Sequence, residues 1–109
     1  MKNLNPTQLK QFKTKINLAF RDLRKAGYFA KQNFWCCQNC AWSDIPESTE
    51  KVVFYHRQDG DNLKQGSFWL AWAGNAYQIV NILRFHGLVV VWNESNGNRI
   101  NVRFENETV

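Results

Sequence analysis

The first third of the chain has a helical rhythm. Leu9, Phe12, Ile16, Ala19, Phe20, Leu23 and Ala26 recur at three- and four-residue spacing, which gathers them on one face. Asn5-Pro6-Thr7-Gln8 reads as the helix start. Asn5 caps, Pro6 suits the first helical position, and Gln8 can reach back to complete a capping box. Gly27 supplies the left-handed residue that closes the helix. A second helix is expected over 76–86, with Tyr77, Ile79, Val80 and Leu83 on its apolar face and Gly87 as its stop.

Between and after these helices the apolar positions shorten to strand-like runs. Strands are expected over 28–35, 52–56, 67–73, 88–92 and 99–104, the last alternating with Ile100, Val102 and Phe104 inward. A turn or short helix is expected over 37–45, closed by Pro46. Asp59-Gly60-Asp61 is turn chemistry, with a helical turn running on to Leu63, and residues 93–98 form a polar turn. The pattern predicts an α+β single domain over 1–109. Its sheet is mostly antiparallel, of about five strands, with two main helices packed on one face. Residues 1–4 and 105–109 are expected to fray. No internal repeat registers along the chain.

At 109 residues, 44% hydrophobic and 15% aromatic, the chain can fill one core. No apolar stretch is long enough for a membrane span, and the N-terminus lacks an apolar signal core. A cytoplasmic protein that engages no membrane is therefore expected. Its three clustered cysteines fit a reducing compartment better than a disulfide framework.

The net charge of +5 is concentrated at one end. Residues 1–31 hold Lys2, Lys10, Lys13, Lys15, Arg21, Arg24, Lys25 and Lys31 against Asp22 alone, whereas the rest of the chain is mildly acidic. On the first helix Lys10, Lys13, Asn17, Arg21, Arg24 and Lys25 fall on a flank beside the apolar face. Such a stripe is either a solvated face or a docking surface for negative charge, on a protein or on nucleic acid. No nucleic-acid-binding motif accompanies it. Trp69 and Trp72, an odd number of positions apart in one strand, must face opposite sides of the sheet.

Cys36, Cys37 and Cys40 follow Asn33-Phe34-Trp35 directly. Cys37-x-x-Cys40 offers one knuckle of a zinc site, with His56 as the next ligand and a fourth unassigned. The same pair suits thiol redox chemistry, and a cysteine with His56 as base and Asp59 as orienter would form a nucleophile system. The third reading is that the thiols pack as small hydrophobes beneath Trp35, Trp42 and Phe54. His86, at a helix end, is assigned no chemistry. No P-loop, dinucleotide fingerprint, zincin motif or nucleophile elbow is present.

Tyr28-Phe29-Ala30-x-x-Asn33-Phe34-x-Cys36-Cys37-x-x-Cys40, with Val53-Phe54-Tyr55-His56-x-Gln58-Asp59 after it, resembles a family of small bacterial domains of unknown function. The resemblance runs over residues 18–104, with Ala41, Gly60 and Asn93-Glu94 departing from the family pattern. It supports the fold and implies no activity. The residues favour a binding protein over an enzyme. Lys10, Lys13, Arg21, Arg24 and Lys25 would meet an acidic protein surface, and an inhibitor of a defence system, such as an anti-CRISPR protein, is one form of this. Nucleic-acid binding is the second reading. A zinc- or thiol-dependent enzyme using Cys36, Cys37, Cys40 and His56 is the third.

Overall fold

The computed structural model describes residues 3–35, 38–92 and 99–104. The elements run α1 (Pro6–Lys25), β1 (Phe29–Lys31), α2 (Gln38–Asp44), β2 (Val52–Phe54) and α3 (Arg57–Asp61). A 3-10 turn (Leu63–Gln65), β3 (Ser67–Ala73), α4 (Ala76–Phe85), β4 (Val89–Val91) and β5 (Ile100–Arg103) complete them. They form one α+β domain around a five-stranded sheet of order β1-β2-β3-β5-β4. The expected turn over 93–98, the tail 105–109 and the thiols Cys36 and Cys37 lie outside the described residues.

α1 starts as its sequence dictates. The Asn5 side chain accepts from the Gln8 amide at 2.8 Å, and the Gln8 side chain accepts from the Asn5 amide at 3.0 Å. Phe12, Ile16, Ala19, Phe20 and Leu23 are buried against the sheet. α4 lies on the same face and buries Ala76, Ile79, Val80 and Leu83. Together with Val53, Phe68, Leu70, Ile100 and Val102 these side chains make the main core. Truncating one of the large ones to alanine would cost about 2–5 kcal/mol.

Two features depart from the sequence reading. The strand expected over 28–35 stops at Lys31, because Asn33 and Trp35 adopt left-handed backbone (φ 52° and 64°). Asn tolerates that conformation, whereas Trp does so rarely. The chain then crosses through α2 and returns as β2 in the same direction, so β1 and β2 pair in parallel while the other three pairings are antiparallel. In addition, the opposite face of the sheet has its own small core. Ala41 and Ile45, from α2 and the residue after it, close over Val52, Phe54 and Ala71.

A local unit occurs twice. Leu23-Arg24-Lys25-Ala26-Gly27-Tyr28-Phe29-Ala30 and Leu83-Arg84-Phe85-His86-Gly87-Leu88-Val89-Val90 each carry a helix end through a glycine into a strand. Both glycines are left-handed (φ 93° and 80°). Their amides bond to the carbonyls of Arg24 and Arg84, at 3.0 Å in each case. The two strands are the edges of the sheet. Phe29 and Lys31 make the bonds to the β2 side, which turns Ala30 toward the open side. Its carbonyl accepts from Arg24 Nε at 3.1 Å, and the Val90 carbonyl accepts from Arg84 Nη2 at 3.3 Å. Each edge is thus blunted by an arginine from the preceding helix, which opposes strand addition by another chain.

Candidate functional site

The outward side of α1 is cationic because its inward side is fully committed to the core. Lys10, Lys13, Arg21, Arg24 and Lys25 are all exposed. Asp22 is the sole carboxylate on the helix, and it is engaged. His86 Nε2, at the end of α4, donates to Asp22 Oδ2 at 2.6 Å, while Arg21 Nε donates to Oδ1 at 3.2 Å. The His86 bond is the main reason the Asp22 carboxyl titrates below its ordinary value of 3.8. Arg24 is partly committed through Ala30. Lys15, on the flank toward α4, lies over the Phe104 ring at 5.4 Å. Lys51 joins this end of the helix by donating to the Ala26 carbonyl at 3.3 Å.

A shallow cleft of about 540 Å³ runs along α4 beside α1. Asp22, Asn75, Tyr77, Gln78, Asn81, Ile82 and Phe85 line it. Phe85 is 82% exposed and Tyr77 59% exposed, although both are large aromatic side chains. Helical spacing places Tyr77 on the apolar face of α4. It instead projects from the flank, where its ring meets Trp92 at 5.4 Å.

The second cluster is on the other face of the sheet. His56 is the residue before α3, and one turn into that helix Asp59 turns back toward it. His56 Nε2 lies 3.2 Å from Asp59 Oδ2, and Arg99 Nη1 lies 3.5 Å from the same oxygen. The His56 and Asp59 side chains are about nine-tenths buried. Among the described residues His56 Nδ1 has no hydrogen-bond partner, and Asp59 Oδ2 lies close to His56 and Arg99 without a well-directed bond. Arg99 also lies over the Trp69 ring at 5.8 Å. Asn33 packs on Gly60: a Cβ there would run into Asn33 Oδ1, the end of an exposed side chain that would have to swing aside. Tyr55 donates to Gln32 Oε1 at 2.9 Å, and burial pushes its phenol well above the usual range, so it serves as a neutral donor.

Trp35, the last described residue before the cysteines, is joined to this cluster through the backbone. The Arg57 amide donates to the Trp35 carbonyl at 3.0 Å, which ties the residue after His56 to the residue before Cys36. Cys40 is exposed on α2, so it does not pack beneath Trp35, Trp42 and Phe54. Trp42 does pack on Phe54, with ring centroids 5.1 Å apart. Among the described residues no three His, Cys, Asp or Glu side chains stand together as a metal site requires. The expected ligand set of Cys37, Cys40 and His56 turns on Cys37, which is not among them.

The expected partner-binding residues thus share one helix. The histidine and aspartate weighed for chemistry do come together, on the far side of the sheet. Sequence reasoning missed Arg99, which is remote in the chain and has no local signal. It also missed the His86–Asp22 contact, for which the position of His86 at a helix end was the one hint.

No helix of the described residues is long and apolar enough to cross a membrane. No curated protein and no solved structure matches this chain. A family model described as "Domain of unknown function (DUF6891)" matches residues 10–107, nearly the whole sequence, and the chain belongs to that family.

Proposed function

We propose that this protein is a binding module that docks an acidic partner protein on the outward side of α1. The observation behind this is the charge state of that helix. It exposes Lys10, Lys13, Arg21, Arg24 and Lys25, and its one carboxylate is taken up by His86 and Arg21. Like charges at this spacing repel one another, so a partner that supplies carboxylates is stabilising. A stoichiometric inhibitor of a defence complex, of the anti-CRISPR kind, is one form this activity would take.

The test uses a variant carrying Lys10→Glu, Arg21→Glu and Lys25→Glu, titrated with polyglutamate and with a single-stranded oligonucleotide. Loss of polyglutamate binding with the fold intact supports the reading. A preference for the oligonucleotide that falls steeply with salt moves the assignment to nucleic acid. Unchanged binding of both by the variant overturns the role of the helix.

A second reading, a thiol- or zinc-dependent enzyme, draws on the buried His56–Asp59 pair. In it the Asp59 carboxylate stands 3.2 Å from Nε2, and Nδ1 is left for a thiol or a zinc ion. Elemental analysis of the purified protein tests the zinc form. Alkylation rates of the three thiols against pH, with and without His56→Ala, test the thiol form. Slow alkylation that ignores His56, with no bound zinc, removes this reading.

A further inference from the structure

Resting on the proposal that α1 binds an acidic partner, the geometry points to the form of that partner: an acidic amphipathic helix lying in the groove between α1 and α4. Cations alone would accept any polyanion, but this groove adds apolar anchors. Phe85 is 82% exposed and Leu18 37% exposed. Phe85 and Ile82 line the cleft beside Asp22, and Leu18 stands one helical turn before Asp22 on the same flank of α1. Tyr28 ties the floor there, its one hydroxyl proton shared between the Asn75 carbonyl at 3.0 Å and Gln78 Oε1 at 3.1 Å.

Charge selects the occupant. Arg21 and Lys25 stand on α1 along one rim, and Lys10 extends the same row toward the N-terminus. Lys10 to Arg21 spans about 16 Å of helix axis, which matches roughly three turns of a docked helix. Asp22, in the cleft itself, is already bonded to His86 and Arg21 and offers the partner little repulsion. A second copy of this chain would bring another cationic α1 against the first, so self-association through this groove is opposed. A helix with apolar residues at i, i+3, i+4 and i+7 and glutamates on the flanks satisfies both features.

The experiment titrates the full chain with three probes. One is an 18-residue synthetic peptide with leucine and phenylalanine on one helical face and glutamate elsewhere. The second has the same composition with the apolar residues dispersed, and the third is polyglutamate. The patterned peptide should bind at least about tenfold tighter than the dispersed one, as expected for buried aromatic and aliphatic anchors. A Leu18→Ser, Phe85→Ser variant should lose that margin and keep its polyglutamate affinity. Both positions are exposed enough for the variant to fold, which circular dichroism checks. Equal affinity for the two peptides, or a margin that survives in the variant, overturns the amphipathic partner while leaving the acidic-partner proposal standing. Polyglutamate binding that ignores Arg21→Glu and Lys25→Glu removes the parent proposal. A groove-dependent dimer, or vesicle binding lost with Phe85→Ser in place of peptide binding, overturns the inference in favour of self-association or a lipid surface.

Discussion

Asp22 Oδ2 and His86 Nε2 meet at 2.6 Å and join the last turn of α1 to the end of α4. The contact fixes the wall of the groove. His86 shares with Arg21 the one carboxylate on α1, so Lys10, Lys13 and Lys25 find no counter-charge within their own helix. A helix with Lys10, Arg21 and Lys25 turned outward is stable here because Phe12, Ile16, Phe20 and Leu23 are buried on the opposite side.

The Asp22 contact predicts how stability responds to acid. His86, the largest influence, holds the Asp22 carboxyl below 3.8. A carboxylate depressed in the folded state stabilises it above the unfolded value, and that contribution is lost as pH falls through the folded value. Thermal melts from about pH 6 down to pH 2 should therefore show a steeper loss in the native protein than in Asp22→Asn. Parallel curves would mean that the contact contributes nothing to folding.

The two edge arginines should act on association as well as stability. Arg24→Met and Arg84→Met each remove a bond to an edge carbonyl, at a cost of about 1 kcal/mol. They should also raise self-association, because an uncovered strand edge pairs with another chain. Light scattering at rising concentration reads the second effect. Scattering unchanged from the native protein in both variants would show that the arginines are not edge guards.

Gly60 and Asn33 form a testable couple. Gly60→Ala should destabilise by about 0.5–1.5 kcal/mol, because the Asn33 side chain must leave its seat to make room. In an Asn33→Gly background the same change should be neutral or stabilising by up to about 1 kcal/mol, since alanine then helps α3 and meets only the Tyr55 ring at ordinary contact distance. Urea denaturation of the four proteins measures the coupling. Additive effects would mean that Asn33 does not seat on Gly60.

Arg99 and Asp59 should also couple. Asp59→Asn leaves two cationic or polar partners without their carboxylate and should cost about 1–3 kcal/mol. Arg99→Met in that background should cost less than it does alone. Equal costs in both backgrounds would reduce the 3.5 Å contact to coincidence.

α1 was legible in the chain because every signal there is local. Asn5 and Gln8 cap within one turn, the apolar spacing is regular, and Gly27 ends the helix. The opposite facing of Trp69 and Trp72 was legible too, from strand parity: Trp69 is 44% exposed, and Trp72 packs against the main core. The parallel pairing of β1 was not, because it depends on the left-handed turns at Asn33 and Trp35 and on where α2 finds its core. Pattern reading registered no repeat, since the two helix–glycine–strand units share few identical residues. Their likeness emerges only from what Arg24 and Arg84 do at the edges. Of the candidate site, composition located the cationic helix. The groove beside it required knowing that α4 packs alongside α1 and leaves Phe85 in the open.

A residue-resolved footprint shows most directly whether the α1–α4 groove is the docking surface. The 15N-labelled protein is titrated with the patterned acidic peptide, and amide shifts are followed by NMR. Docking in the groove should concentrate perturbations on α1 from Lys10 to Lys25 and on α4 around Ile82 and Phe85, with β2 and α3 quiet. Shifts centred on His56, Asp59 and α2 with α1 silent would contradict it.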